Sequence, residues 1–313
     1  MLGLSIAAMA AAAASAIPVT ASGPNGPLAG TFVDAGRHAP VVLIIPGSGP
    51  TDRDGNSPLG VTAAPYRLLA TALAGDGVST VRIDKRGLFG SKAAVPDPNT
   101  VTIADYSTDV RSWIASIRQR TGVNCVWVLG HSEGSLIALA AGQQTNGVCG
   151  VISVAGAGRK LSDVIRDQLR SNLANAPVLD DAMMALDSLE RSQHVDVTNM
   201  HPALQRLFAP QVQDFLIDMF HHDPAKLAAS LRLPLLIVQG ERDVQVSTAD
   251  AKALAAAQPK AKLVLIPTMD HVLKDVVSDD RTANLATYAD PSLPVDSVLV
   301  ETIADFVKHR SAD

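Results

Sequence analysis

Short continuous apolar runs recur along the chain, separated by stretches in which apolar residues return every three or four positions. Pro40–Ile45, Val78–Ile83, Val126–Leu129, Val148–Ala155, Pro234–Gln239 and Lys262–Ile266 are of the first kind. Their length and their branched aliphatic content predict strands buried on both faces. Helical periodicity covers Ala64–Leu73, Ile103–Arg120, the run after Glu133 to about Gln143, Thr248–Ala257 and Val298–Lys308. In Ile103–Arg120 the residues Val110, Trp113, Ile114 and Ile117 share one face. Two extended segments, Pro18–Ser22 and Leu28–Asp34, flank the turn-forming Gly23-Pro24-Asn25-Gly26-Pro27, which predicts a hairpin.

Strands alternating with helices predict an α/β fold, a mostly parallel sheet covered on both sides. The alternation stops between residues 158 and 231. That stretch carries no buried strand run, and its helical pieces are broken by Pro177, Pro202, Pro210 and Pro224. It is expected to be a helical insertion into a core formed by residues 17–157 and 232–313.

With 313 residues, 47% hydrophobic and 18% charged, the chain has enough apolar material for a large core. The net charge of −5 and the absence of a basic block speak against nucleic acid as a partner. No amphipathic stretch rich in Lys and Arg suggests a charged membrane surface, and stable membrane insertion is not expected. A small-molecule substrate fits this balance best.

Met1 to Ala16 is almost wholly Ala, Leu, Ile, Met and Gly, and it ends in the small-x-small sequence Ala14-Ser15-Ala16. It is too short to span a bilayer comfortably, so the expectation is a cleaved export signal and a periplasmic or secreted protein. The basic residues that begin such signals are missing, since the first Lys or Arg is Arg37. The alternative is an Ala-rich tail on a cytoplasmic protein, or a start further upstream. Cys125 and Cys149 each adjoin a strand run. If those strands are parallel neighbours, both cysteines lie at the same end of the sheet. A disulfide and two buried thiols are then both open.

The chemistry begins at Gly130-His131-Ser132-Glu133-Gly134, where a strand run stops and a helical run starts. This is the strand–turn–helix setting in which G-x-S-x-G becomes a nucleophile elbow. Ser132 has to sit on a sharp turn with a strained backbone, and side chains at Gly130 and Gly134 would collide with the adjoining strand and helix. A serine hydroxyl also needs a base within reach and an acid to orient that base. Two loops at predicted strand C-termini offer them: Gly240-Glu241-Arg242-Asp243, and Pro267-Thr268-Met269-Asp270-His271. The C-terminal edge of a parallel sheet is where sites assemble, so Ser132, Asp243 and His271 are expected to converge there. Glu241 is a weaker acid candidate, and Asp270 is badly placed to orient its own neighbour. Of the other histidines among the eight, His131 is expected to point away from the serine. His194, His201, His221 and His222 fall in the insertion.

Pro46-Gly47-Ser48-Gly49-Pro50 exposes backbone N–H groups. The N–H of Ser48, with that of Glu133, is the candidate oxyanion hole, and Gly47 and Gly49 are candidate substrate contacts. Asp52-Arg53-Asp54-Gly55 resembles the start of a calcium loop but lacks the later ligands, so no metal is expected and the segment is read as lining the site entrance. In the insertion, Met183, Met184, Leu186, Leu207, Phe208, Phe215, Met219 and Phe220 are candidates for an acyl pocket, with ordinary helix packing the commoner fate.

Gly130-His131-Ser132-Glu133-Gly134, the Pro46–Gly55 motifs, Asp84-Lys85-Arg86-Gly87, Gln239-Gly240-Glu241-Arg242-Asp243 and Asp270-His271 together resemble bacterial esterases of the α/β-hydrolase superfamily. The likeness is to the branch with an inserted helical lid, described as serine-aminopeptidase-like or lysophospholipase-like. It runs from about Pro18 to the C-terminus. It implies an eight-stranded sheet, a helical lid between strands six and seven, and Ser132, Asp243 and His271 as a triad. It also implies hydrolysis of a carboxylic ester without metal or organic cofactor. The chain departs from many such relatives in having Pro46 where His often precedes the oxyanion glycine. An amide, a thioester or acyl transfer to another alcohol is open to the same residues, as is a catalytically silent binding protein on the same fold.

Overall fold

A computed structural model describes residues 15–310. The expected export signal therefore lies outside the described residues except for Ser15 and Ala16, and Ala16 already opens the first strand.

The strands are β1 (Ala16–Ala21), β2 (Leu28–Val33), β3 (Val41–Ile45), β4 (Ser79–Ile83), β5 (Val126–His131), β6 (Val148–Val154), β7 (Leu235–Gly240) and β8 (Lys262–Ile266). They form one eight-stranded sheet in the order β1-β2-β4-β3-β5-β6-β7-β8. β1 pairs antiparallel with β2 and β2 antiparallel with β4, while every pairing from β4 onward is parallel. This is the α/β-hydrolase arrangement, and the predicted strands fall within a residue or two of the observed ones.

The helices are α1 (Pro65–Gly75), α2 (Ile103–Thr121), α3 (Glu133–Ala141), α4 (Leu161–Ser171), α5 (Leu179–Glu190), α6 (Pro202–Leu207), α7 (Gln213–His221), α8 (Pro224–Ser230), α9 (Thr248–Ala257), α10 (Arg281–Ala286) and α11 (Ser297–Arg310). Helices α4 to α8 fill the stretch between β6 and β7 that the sequence marks as an insertion. The limits of α2 follow from its ends. Thr102 and Asp105 form a reciprocal capping box at the start, and Gly122 ends the helix at φ 77°.

The period of two along the strands divides the core. Val41, Leu43 and Ile45 of β3 face one side, with α2 and α3, while Val42 and Ile44 face the other, with α1 and α11. Trp127 of β5 belongs to the second side, stacked edge-on against Phe306 of α11 with centroids 5.3 Å apart. The insertion does not form a core of its own. Leu186, Leu204, Phe208 and Phe220 belong to the same cluster as Val128 and Ile137. The Ile103 N–H also donates to Asp218 of α7 at 2.7 Å, tying the start of α2 to the insertion. Among the described residues, no helix is long and apolar enough to cross a membrane.

Cys125, just before β5, and Cys149, in β6, are bridged, with Cα atoms 5.1 Å apart. Of the two alternatives, the structure adopts the disulfide. It closes a loop with a sequence separation of 24, worth about 3 kcal/mol in the chain-entropy account. Reduction is expected to lower the unfolding free energy by about 2–4 kcal/mol, read as a shift in denaturant midpoint with and without reductant. An unmoved midpoint would contradict this.

Candidate active site

At the end of β5 the chain turns through Ser132 with φ 54° and ψ −120°, outside the regions ordinary residues occupy. Such a conformation costs of order 1–3 kcal/mol and persists only where the surroundings over-determine it. They do so here. A Cβ on Gly130 would stand 1.9 Å from the Gly134 carbonyl oxygen, and one on Gly134 would stand 2.4 Å from that of Ile45. Glycine at both positions lets α3 approach β5 and β3 this closely. The Ser132 N–H donates to the Val154 carbonyl of β6 at 3.0 Å, which fixes the turn from the neighbouring strand.

Beyond β7 and β8 the two predicted loops meet. His271 Nδ1 lies 2.8 Å from Asp243 Oδ2, and the Asp243 side chain is fully buried. That carboxylate also accepts from Gln239 Nε2 at 3.0 Å and from the N–H groups of Gln245 at 2.7 Å and Val246 at 2.9 Å. Burial alone would raise the Asp243 pKa. The His271 charge and hydrogen bond, helped by the Val246 and Gln245 amides, outweigh it and hold the group below the usual carboxylate range. For His271 burial lowers the pKa, but the Asp243 charge and hydrogen bond raise it by more, so the net shift is upward. With Nδ1 spent on Asp243, Nε2 is the nitrogen left for a hydroxyl. The Ser132 Oγ–His271 Nε2 hydrogen bond is not closed in this structure, and the serine hydroxyl caps no helix N–H. Such contacts are often long before substrate binds.

Ser132 opens onto a cavity of about 660 Å³. Ser48, Gly49, Pro50, Lys85 and Glu133 line it near the serine, and Leu161, Val164, Ile165, Phe215, Leu216 and Met219 of α4 and α7 line it opposite. Glu133 begins α3, so its N–H belongs to the first turn, which has no partner within the helix. The Gly47 loop presses against the elbow, since a Cβ on Gly47 would meet that of Ser132 at 3.3 Å. Among the described residues, no group of three or more His, Cys, Asp or Glu side chains is placed to hold a metal ion.

Residues 59–275 match the family described as serine aminopeptidase, S33. The chain belongs to that family. A curated relative is Esterase EstD of Thermotoga maritima, 27% identical over 243 residues, which are 75% of this chain and 54% of EstD. The chain thus spans about half the length of that relative. Among solved structures, the α/β hydrolase GrgF of Penicillium sp. superposes with a TM-score of 0.62 at 17% identity, covering 96% of this chain and 100% of that one. Proline iminopeptidase of Mycobacterium smegmatis gives 0.59 at 14%, covering 95% and 100%. At these identities the two structures establish the shared fold.

The geometry sorts the sequence-predicted residues of this family member. Ser132, Ser48, Gly49 and Glu133 border one cavity, and Asp243 and His271 are joined. Gly47 does not line the cavity. Its N–H donates to Tyr66 Oη at 3.0 Å and its carbonyl accepts from Lys85 Nζ at 2.7 Å, so both its polar groups are taken. Glu241 is exposed, and Asp270 is buried, accepting from the Thr287 hydroxyl and the Lys274 N–H. His131 is buried and turned away from the cavity.

One expectation needs correction. The Asp52–Gly55 segment does not line the site; it is a clamp. Arg53 pairs with Asp84, Arg82 pairs with Asp54 at 2.8 Å, and Asp52 accepts from the N–H groups of Asp54 and Asn56. Of the eight apolar insertion residues, a minority, Leu207, Phe215 and Met219, reach the cavity, while Leu186, Phe208 and Phe220 pack in the core, Met183 packs half-buried against it and Met184 is exposed.

The chief residue the sequence reading passed over is Lys85. It is buried, pairs with Glu133 at 2.8 Å, and bridges the elbow to the Gly47 carbonyl. Its signal was available: it follows β4 at the same sheet edge as the other loops. Replacing Lys85 by Met leaves Glu133 as an unpaired buried charge, with an expected loss of about 3–5 kcal/mol in urea unfolding. Adding Glu133→Leu should recover most of that loss. A double variant no more stable than the single one would show that the pair is not what the substitution breaks.

Proposed function

We propose that this chain is a serine hydrolase that cleaves carboxylic esters of short- to medium-chain acyl groups. The observation that carries the reading is the His271–Asp243 hydrogen bond, made by a carboxylate fixed by three further donors, at the same sheet edge as the strained Ser132. His271 Nε2 takes the hydroxyl proton as Ser132 Oγ adds to the ester carbonyl. Asp243 holds the ring and stabilises the imidazolium. The N–H groups of Ser48 and Glu133 receive the oxyanion. Collapse of the tetrahedral species expels the alcohol, which takes the proton back from His271, and water then releases the acid from the acyl-enzyme by the same steps.

The relationship to EstD supports an ester over other acyl substrates. The family's name and the fold shared with an iminopeptidase keep an amide as the second reading. Residues 158–231 serve in this proposal as a lid, supported by the cavity wall that α4 and α7 supply. Export from the cytoplasm is supported by the Cys125–Cys149 bridge, which an oxidising compartment would maintain.

Ser132→Ala is expected to lower hydrolysis of a chromogenic butyrate ester by roughly 10³-fold or more with unchanged circular dichroism, and to abolish adduct formation with a fluorophosphonate. Turnover at the wild-type level would exclude Ser132 as nucleophile. Preference for an aminoacyl amide over esters of several chain lengths would select the second reading.

The base must be neutral to accept a proton, and the His271 pKa is raised. The rate should therefore climb with pH through a midpoint above the ordinary imidazole value of about 6.5. An acid limb centred below that value would contradict the assigned base.

A further inference from the structure

We infer that Tyr66 and His131 form a hydrogen-bond relay that holds the Gly47 loop and the His271 loop in register across Ser132, making both of them positioning residues for the reaction proposed above. The relay has three contacts. His131 Nε2 lies 2.8 Å from the His271 carbonyl oxygen, His131 Nδ1 lies 2.8 Å from Tyr66 Oη, and the Gly47 N–H donates to Tyr66 Oη at 3.0 Å.

Each contact has one permitted direction. A carbonyl oxygen only accepts, so His131 Nε2 carries a hydrogen. Burial, and secondarily the nearby His271 charge, push the His131 pKa down to about 3, so the ring is neutral and its Nδ1 has only a lone pair to offer. Tyr66 must then donate its hydroxyl hydrogen to Nδ1. Its oxygen is left as an acceptor, which is what the Gly47 N–H requires. Burial also raises the Tyr66 pKa, which keeps the phenol protonated. Reversing any one bond leaves two hydrogens or two lone pairs facing each other in the interior.

The ends of the relay give it its consequence. One end is the N–H of Gly47, the residue immediately before Ser48, a proposed oxyanion donor. The other is the backbone of the proposed base. The centre is the residue next to the nucleophile, turned the opposite way by the strained elbow. Lys85 holds the Gly47 carbonyl, so that residue is fixed at both polar ends. Neither Tyr66 nor His131 lines the cavity. Losing the relay should therefore alter alignment and leave substrate affinity largely intact.

The test uses the full chain with its disulfide formed. Nitrogen-15 spectra of the imidazoles should show His131 as the neutral Nε2–H tautomer from pH 4.5 to 9. The Nδ1–H tautomer, or titration near the ordinary histidine value, overturns the relay, and this readout needs neither turnover nor a variant. For Tyr66→Phe, which keeps the ring, kcat on the butyrate ester should fall about 10- to 100-fold with KM within about twofold and the acid-limb midpoint unmoved. His131→Gln can still present an N–H towards the His271 carbonyl, and it should retain more activity than His131→Ala. Wild-type kcat in folded Tyr66→Phe overturns the positioning role. If the wild type neither hydrolyses esters nor labels with fluorophosphonate, the proposed function fails, and the tautomer alone decides the relay.

Discussion

Everything at the upper edge of this sheet depends on how closely α3 is allowed to approach β3 and β5. A backbone oxygen of β3 occupies space that any side chain at residue 134 would claim, and residue 130 is closed off by the helix itself. With both positions empty of side chains, the turn between them has little choice of conformation, and Ser132 is pushed to a positive φ. The strain is local and modest. The packing that enforces it is spread over the central strands, the most thoroughly buried part of the molecule. A rigid scaffold thus holds one high-energy residue, and the three loops around that residue inherit its position.

Charge is managed at that edge with comparable economy. Beyond β4 the successive residues Asp84, Lys85 and Arg86 each go to a different partner: Arg53, Glu133, and the pair Asp105 and Asp109. Buried ion pairs of this sort add little net stability, but removing one member leaves the other stranded. Their value is in register. They tie the Asp52–Gly55 turn, the elbow and the start of α2 to one short segment, so these loops cannot drift independently.

Much of the architecture was legible because burial on both faces leaves a plain trace in the sequence. The runs at 41–45, 126–131 and 235–240 have nowhere to go except the middle of a sheet. The placement of Ser132, Asp243 and His271 at one sheet edge was legible because each ends or follows such a run, at the edge where sites assemble in open α/β sheets. Tyr66 left no comparable trace. It is a single aromatic in the first turn of a helix, and nothing local separates it from a core residue; its partners, Gly47 and His131, are brought to it only by the assembled sheet. The Asp52–Gly55 turn misled for a related reason. Acidic residues beside glycine suggest exposure, but Asp54 is paired by Arg82 from a strand nearly thirty residues on, and the loop's own Arg53 pairs with Asp84 beyond that strand. Gly47, a candidate substrate contact in the sequence, lies against Ser132 with its N–H and carbonyl taken by Tyr66 and Lys85. Which of its polar groups were free could not be known before Tyr66 and Lys85 were located.

The helical stretch between β6 and β7 shares one apolar cluster with the sheet. In α7 the side chains of Leu216 and Met219 border the cavity and belong to that cluster, while Phe220 beside them is wholly interior. The cavity wall and the folded core therefore draw on the same side chains. A detachable cap can drift in sequence and exchange one ligand for another at little expense. Here a change at Leu216 or Met219 that reshapes the cavity wall is also a change in a load-carrying layer, so the wall can be remodelled there only as far as the stability margin reaches.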